Sequence, residues 1–271
     1  MDDPTTTIRT ATRPVPIGEL LDAWLAVQAG DFSAGHAPSP RTATPGELPP
    51  WLPCPGEAPV LVVGCAGTVG ASTIALLLAG AATRTRVVDC APISCSGLAG
   101  ASTAELGEAG NGWTQGRRDQ VLIQRRLDHP AAPDVVPRPP DGNPGDVTVI
   151  DGWWPLRDLL TAAGWLGDLA RSCPRLVLVA HGSVPGTRQL EADLRAAGPE
   201  RCWAVMTGVS SRQLPTLVEH SLGPLTLGLR AAGRVQLLRH DSRLAMSGIT
   251  TNPLPRLFDR TARSLLEGLL P

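Results

Sequence analysis

The chain reads Gly64-Cys65-Ala66-Gly67-Thr68-Val69-Gly70-Ala71-Ser72-Thr73 directly after an apolar segment, Val60–Val63, and directly before a helical one, Ile74–Ala79. This pattern predicts a strand, a glycine-rich turn and a helix that opens in Ser-Thr. Backbone N–H groups and the helix dipole converge at such a turn, so that it can hold an anion. We therefore expect a phosphate-binding unit at residues 64–73.

The loop lacks the charge that such loops normally carry. In working phosphate-binding loops a lysine follows the last glycine and pairs with the β- and γ-phosphates. That position is Ala71 here, and all 24 Lys+Arg residues of the chain are arginine. The sequence thus predicts a nucleotide-binding fold and, at the same residue, argues against ordinary catalysis by it.

Three interpretations of the loop remain open. In the first, backbone amides hold a nucleotide phosphate and the Ser72 hydroxyl binds Mg²⁺. The predicted nucleotide-binding residues are Gly67, Thr68, Val69, Gly70, Ala71, Ser72 and Thr73. In the second, G-x-x-G-x-x-G is a dinucleotide-binding turn for NAD(P), although the tyrosine and lysine of the usual dehydrogenase apparatus are missing. In the third, the turn binds nothing.

Two aspartates end predicted strands, Asp89 in Val-Val-Asp and Asp151 in Val-Ile-Asp. A carboxylate at the carboxyl end of a parallel strand faces the ligand crevice, where it can hold a metal or position a water. Ser72, Asp89 and Asp151 are therefore the candidate Mg²⁺ ligands, and Asp151 is the only candidate catalytic residue. An aspartate that starts a turn is the simpler alternative for either position alone.

Composition sets limits on the function. The 271 residues suffice for one large α/β domain plus an extra segment. A formal net charge of −1 gives no signal for nucleic acid or an anionic membrane. No apolar run reaches the length of a membrane span, and the polar start does not resemble a secretory signal. Six cysteines without a CxxC pair are typical of a cytoplasmic protein with reduced, buried thiols, and we expect no zinc site.

The order of apolar segments predicts a doubly wound, mostly parallel sheet with helices on both faces. The predicted strands are 60–63, 86–89, 147–151, 176–180, 203–206 and 235–238, and the predicted helices are 72–82, 156–171, 184–197, 211–222 and 255–270. Residues 94–144 interrupt this rhythm. We place the domain at 58–271, after an N-terminal extension, 1–57, with one short helix near 18–29 and a Pro-rich linker.

The loop resembles the deviant Walker A loop of the ParA/MinD superfamily of P-loop NTPases, and most closely its TadZ/CpaE-like branch for pilus and septum localisation. Asp89 with Ser96-Gly97-Leu98-Ala99, Asp151 at the Walker B position and the late segment 238–249 extend the resemblance. It covers roughly residues 58–270 by the order of its elements.

This chain departs from the family at the residues that matter for chemistry. The signature lysine before the second glycine is Ala66, the loop lysine is Ala71, and the adenine-binding asparagine is replaced by Thr207-Gly208. The resemblance therefore implies a pseudo-ATPase that binds ATP or ADP with Mg²⁺ weakly or not at all. It further implies a cytoplasmic positioning or scaffold role (polar localisation, septum placement, or plasmid or conjugative-element maintenance), a protein partner and a homodimer.

An enzymatic alternative is a weak Mg²⁺-dependent ATPase with arginine in the lysine role. Residues 116–127 read as a helix that carries Arg117, Arg118, Arg125 and Arg126, and seven- and eight-residue spacings place Arg118, Arg125 and Arg126 on one face. The cluster can complete a phosphate site or bind an anionic partner. A solvated face in an arginine-rich protein is the interpretation that we favour.

Two further features have two interpretations each. The pair Trp153-Trp154 either forms a stacking surface at the crevice rim or packs at the sheet edge. The apolar stripe of the last helix, 254–270, is typical of a basic membrane-contacting helix or of a terminal helix packed on the sheet, and we favour the second.

Overall fold

Strands and helices alternate along the computed structural model, which describes residues 51–143, 145–209 and 213–270. The strands are β1 (Ala58–Gly64), β2 (Thr85–Asp89), β3 (Ala104–Gly110), β4 (Trp113–Arg118), β5 (Val121–Arg126), β6 (Val147–Asp151), β7 (Leu176–His181), β8 (Cys202–Val209) and β9 (Val235–Arg239). The α-helices are α1 (Ala71–Ala81), α2 (Leu156–Thr161), α3 (Gly164–Ser172), α4 (Val184–Ala197), α5 (Thr216–Glu219), α6 (Pro224–Ala231), α7 (Ser242–Ser247) and α8 (Asp259–Leu269).

In the described part of the chain the strands form one nine-stranded sheet in the order β3-β4-β5-β2-β6-β1-β7-β8-β9. Neighbouring strands from β5 to β9 are parallel, and β4 is antiparallel to both β5 and β3. The prediction of a doubly wound, mostly parallel α/β sheet is therefore confirmed. All six predicted strands are present, each with bounds within three residues of the expected ones.

Alternation along the central strands divides the core into two layers. In β1, Leu61 and Val63 face one hydrophobic cluster, whereas Val60 and Val62 face the other. Helices α2, α3, α4 and α6 cover the first face, and α1 and α8 cover the second. Because both faces are covered, every residue from 60 to 63 is buried, which explains the continuous apolar run in the sequence.

The predicted arginine helix at 116–127 is wrong, because these residues form the hairpin β4–β5. Asn111 and Gly112 join β3 to β4, with φ of 51° and 71°, and Asp119 opens the next turn with φ of 51°. Two consecutive positive φ values are typical of a type I′ turn, for which Asn-Gly is the preferred sequence. Asn111-Gly112 is thus the signal for the adjoining hairpin, β3–β4.

Two predicted helices also differ from the structure. The segment 156–171 is two helices, because Ala162 and Ala163 are extended and Trp165 turns inwards to donate its Nε1–H to the Val136 carbonyl at 2.8 Å. Only Thr216–Glu219 of the predicted helix 211–222 is helical within the described residues, and α6 was not predicted.

The last helix packs against α1 rather than standing free. Its stripe residues Phe258, Ala262, Leu265 and Leu269 are buried in the second core layer. This is the arrangement that we favoured over membrane contact. Among the described residues, no helix is both long and apolar enough to cross a membrane.

The packed structure already includes residues before the predicted domain start. The Trp51 and Trp165 rings meet edge to face with centroids 5.8 Å apart, and Glu57 forms a buried ion pair with Arg86. The predicted helix at 18–29 lies outside the described residues. The boundary at 57/58 stays a prediction.

Candidate functional site

The glycine-rich loop connects β1 to α1 at the carboxyl edge of the sheet. Gly64 ends the strand, and a Cβ there would lie 2.9 Å from the Ala66 carbonyl oxygen and 3.0 Å from a Val69 methyl carbon. Gly70 precedes the helix with φ of 92°, which disfavours any other residue. The structure therefore explains why residues 64 and 70 of this turn are glycines.

The loop leaves an open side towards solvent. Gly67 and Thr68 are exposed, whereas the Val69 side chain is buried in the core layer below the loop. A Cβ placed on Gly67 would meet no heavy atom within 4 Å. The space next to the Gly67 backbone is therefore free for a ligand, and Val69 does not fill it.

Thr207 fixes the loop from β8, two strands away from β1 in the sheet. Its hydroxyl donates to the Val69 carbonyl oxygen at 2.7 Å, and its methyl carbon lies 3.9 Å from the Cβ position of Gly70. The sequence indicated this residue only as a replacement for an expected asparagine. In the structure it braces the loop, a role that no spacing pattern could reveal because the contact spans 138 residues.

The two strand-ending aspartates lie side by side. β2 and β6 are neighbours, and their register pairs Asp89 with Asp151. Both side chains are almost completely buried, at 0% and 1% exposure. Asp89 accepts hydrogen bonds from the Ala91 N–H and the Ser96 hydroxyl. The topology thus brings together the two carboxylates that the sequence analysis chose.

Burial makes the charged form of both carboxylates costly. Burial, and then the charge of Asp151, raises the pKa of Asp89 to about 7, although Ser96 and Ala91 act in the opposite direction. Burial raises the pKa of Asp151 to about 6 against hydrogen bonds from Ser72 and the Trp153 N–H. A cation at this place would offset that cost.

Ser72 joins this pair from the first turn of α1. Its hydroxyl donates to the Asp151 carboxylate, whereas the Asp151 Oδ2 atom is buried without a hydrogen-bond partner among the described residues. Buried polar atoms normally have partners. A hydroxyl beside a carboxylate with a spare oxygen is an oxygen donor set of the kind that Mg²⁺ takes, so the residues fit this metal.

Gly97 presses against Ser72 from the loop after β2. A methyl carbon at Gly97 would lie 2.6 Å from the Ser72 Oγ and 2.8 Å from its Cβ. We expect Gly97→Ala to displace Ser72 and to lower the free energy of unfolding by about 1–3 kcal/mol, measured by urea denaturation. Gly67→Ala is the matched control, because its methyl group meets open space and should change stability by less than about 0.5 kcal/mol. Equal losses in the two variants would contradict the Gly97–Ser72 contact.

The hairpin separates the arginines that the sequence analysis grouped. Arg118 pairs with Val121 at the start of β5, so it lies at the opposite sheet edge from Arg125, and it donates to the carbonyls of Thr250 and Asn252. Arg126 is buried 4.7 Å above the Trp113 ring. These two arginines have structural roles, and a shared phosphate-binding face is excluded by the strand geometry.

Arg125 alone lies near the aspartates. The register of β5, β2 and β6 places Arg125, Asp89 and Asp151 in one row. Its guanidinium donates to the Ala99 carbonyl at 2.8 Å and to Glu105 at 2.7 Å. Arg125 thus contributes positive charge beside Asp89 while its hydrogen bonds go to Ala99 and to Glu105 of β3.

The two tryptophans after Asp151 take different environments. Trp154 is 9% exposed and packs in the first core layer, whereas Trp153 is 38% exposed with φ of 54°. A left-handed backbone is uncommon for so bulky a residue. The two rings meet edge to face with centroids 4.7 Å apart. Trp154 therefore has a packing role, whereas a stacking role for the exposed Trp153 stays a prediction.

The six cysteines lie in different environments. Within the part of the chain that the structure describes, no group of three or more His, Cys, Asp or Glu side chains is arranged to hold a metal ion. Cys90 is buried and Cys95 is exposed. The Cys65 thiol forms a hydrogen bond with the Asp193 side chain. Burial raises the pKa of the Cys65 thiol, so it stays protonated.

Comparisons with known proteins add a fold-level likeness. No family model matches the sequence, and no curated protein matches it either. One solved structure that is similar is described as a plasmid partition protein from Borrelia burgdorferi B31 bound to AMPPNP. It is 10% identical, with a TM-score of 0.47 over 78% of this chain and 97% of that one. A likeness at this level carries no argument about function.

Proposed function

We propose that this protein binds a nucleotide polyphosphate together with Mg²⁺ at the carboxyl edge of the sheet and hydrolyses it feebly or not at all. The observation that carries the proposal is the buried Oδ2 of Asp151, which has no partner among the described residues and lies beside the Ser72 hydroxyl. Such an arrangement is costly unless a ligand completes it.

The chain's own groups suit the two parts of this ligand. Backbone amides of residues 67–73 and the N-terminus of α1 would face the phosphates. Ser72 and Asp151 would hold Mg²⁺, with Asp89 next to them in the register. Ala66 and Ala71 stand at the two lysine positions and carry no charge. Bound Mg²⁺ would offset the phosphate charge in their place.

Feeble hydrolysis follows from the missing cations. Lysines at the loop normally stabilise the charge on the transferring phosphoryl group. Arg118 and Arg126 are bonded elsewhere, and Arg125 donates to Glu105 and Ala99. Of these three arginines, Arg125 lies in the row of the aspartates, so an arginine-assisted ATPase would use it first. Phosphate release that is Mg²⁺-dependent and lost in Asp151→Ala would favour it.

The dinucleotide alternative is less well supported. It needs Asp89 to accept from a ribose hydroxyl. The Asp89 side chain is fully buried, and each of its carboxylate oxygens already accepts a hydrogen bond. These contacts favour a metal-supporting position for Asp89 over a ribose contact.

A thermal-shift panel of ATP, ADP, NAD⁺ and NADP⁺, each with and without Mg²⁺, tests the proposal. At about a hundred times its Kd, ATP or ADP with Mg²⁺ should raise Tm by about 5–10 °C, because a ligand of the native state stabilises it. Asp151→Asn should abolish the Mg²⁺-dependent part of this shift. The matched control is Asp141→Asn, since that side chain is 82% exposed.

Two results would contradict the proposal. One is the absence of any shift with Mg²⁺ and either adenine nucleotide. The other is an equal shift in Asp151→Asn and in the unaltered protein. A shift with NAD⁺ or NADP⁺ alone would select the dinucleotide alternative.

Within this proposal the protein is a cytoplasmic positioning or scaffold factor that works through a protein partner and as a homodimer. An inert or slow nucleotide site suits such a role, because occupancy rather than turnover then sets the state. Light scattering with and without Mg²⁺-ATP tests the dimer. An unchanged monomer mass in both conditions would contradict it.

A further inference from the structure

The last strand of the sheet, β9, has one free side. Within residues 51–143, 145–209 and 213–270, β9 pairs with β8 only, through bonds such as Ala204 N–H to the Arg234 carbonyl and His240 N–H to the Val209 carbonyl. Backbone groups of alternate residues point to opposite sides of a parallel strand. The N–H and carbonyl groups of Val235, Leu237 and Arg239 therefore point away from β8, towards the free side of β9.

A groove of about 410 Å³ runs along this free side. Leu222, Thr226 and Arg230 line it from one face of the sheet, and Arg260, Thr261 and Ser264 of α8 line it from the other. Within it the Leu237 carbonyl receives only a long hydrogen bond, 3.5 Å, from the Thr261 hydroxyl. The edge is thus accessible between two helices rather than covered by them.

The groove is positively charged. Arg230, Arg239 and Arg260 line it, and none of its lining residues is an aspartate or glutamate. Arg230 pairs with Glu219 at 2.8 Å, whereas Arg239 and Arg260 have no hydrogen-bond or ionic partner among the described residues. No aromatic side chain lines the groove, which disfavours a single-stranded nucleic acid that needs stacking platforms.

The opposite edge of the sheet is built differently. β3 carries register irregularities at Glu105/Gly107 and Glu108/Gly110, and almost all of its residues are exposed. Bulges and charges are features that prevent an edge from pairing with another chain. The irregularity in the β8–β9 pair lies at Met206–Val209 of β8, so β9 itself keeps regular pairing from Val235 to Leu237.

We propose that the β9 groove is a docking site for an extended, acidic segment of a partner protein, which adds to the sheet as a further strand. Main-chain hydrogen bonds to Val235, Leu237 and Arg239 supply affinity, as in other cases of strand addition. Carboxylates of the segment pair with Arg239 and Arg260 and supply selectivity. The site is independent of the nucleotide site, which lies at the β1–α1 loop.

Fluorescence anisotropy with a labelled peptide in which glutamate and valine alternate tests the docking site on the full chain. The glutamate peptide should bind at least about tenfold more tightly than the same peptide with lysine in place of glutamate. N-methylation of alternate peptide amides should weaken binding by about tenfold or more, because strand addition needs these donors.

Charge reversal in the groove gives the matched variant pair. Arg239→Glu with Arg260→Glu should weaken binding of the glutamate peptide by at least about tenfold and favour the lysine peptide. Arg117→Glu with Arg188→Glu makes the same change in net charge at two exposed arginines outside the groove, and it should leave binding within about twofold. Urea denaturation confirms that both double variants fold.

Four outcomes would overturn the docking site. They are no binding of the glutamate peptide up to about 1 mM, equal binding of the two peptides, equal binding after N-methylation, and equal losses in the two double variants. If an oligo-dT strand displaces the peptide and binds more tightly than the peptide does, the groove is a nucleic-acid site instead.

Discussion

Replacing Arg86 by leucine is expected to lower the free energy of unfolding by about 3–5 kcal/mol. Arg86 is 2% exposed and donates to Glu57 at 2.8 Å, to Thr148 at 2.9 Å, to the Gln124 side chain at 3.2 Å and to the Pro140 carbonyl. Its loss leaves the Glu57 carboxylate buried without its cation. Urea denaturation at pH 7 measures the effect.

A double variant separates the lost ion pair from lost packing. Because Glu57→Leu removes the uncompensated charge, Arg86→Leu with Glu57→Leu should be less destabilised than the sum of the two single variants by about 1–3 kcal/mol. Arg117→Leu, at an exposed position in the same sheet, should change stability by no more than about 0.5 kcal/mol. Additive single and double effects would show that the pair is not coupled.

Replacing Asp89 by asparagine is expected to stabilise the ligand-free protein at pH 8 by about 2–4 kcal/mol. The pKa of Asp89 rises from 3.8 to about 7 on folding. Between these two pH values the native state holds a proton that the unfolded chain has released. The favourable contribution of this carboxyl is fully present below pH 4. It is lost as the pH rises through about 7, where the buried group must ionise beside Asp151.

The difference between the two proteins isolates this effect. The free energy of unfolding, measured with urea at several pH values from 4 to 8, should favour Asp89→Asn increasingly as the pH rises. Asn can keep both contacts, because its amide oxygen accepts from one partner and the Ser96 hydroxyl can turn to accept from the amide. Asp141→Asn is the exposed control and should show no such trend. A constant difference across this range would contradict a raised pKa for Asp89.

The central sheet could be predicted because its strands are continuous apolar runs. Val60–Val63 and Val147–Asp151 are buried on both faces, so each strand has a simple sequence pattern. The predicted helix 184–197 has its observed bounds, and the structure shows that Ser183 caps it and that Gly198 ends it with φ of 82°.

The hairpin could not be recognised from hydrophobic periodicity. Between Trp113 and Arg126 the buried residues include Arg118 and Arg126, whose charges are satisfied by backbone carbonyls and by Asp128. A polar residue that is buried by distant partners does not follow the apolar pattern. The turn sequence Asn111-Gly112 carries a local signal for the adjoining hairpin β3–β4, but not for β4–β5.

The candidate site could be predicted in part, because the parallel sheet fixes where its two aspartates lie. Asp89 and Asp151 end parallel strands, so topology alone brings them together. The contacts of Thr207 with the loop and of Gly97 with Ser72 depend on how distant segments pack, and they leave no mark in spacing. The Arg86–Glu57 pair was missed likewise, because the partners are 29 residues apart.

The unequal edges of the sheet limit how copies of this protein can associate. The β3 edge has bulges and carries glutamates at 105 and 108, so it resists pairing with a strand of another molecule. If only the β9 side accepts a strand, then head-to-tail stacking of sheets has no second accepting surface. Growth into fibrils by this route is blocked after one addition, and the polypeptide can carry an open edge at high concentration without polymerising.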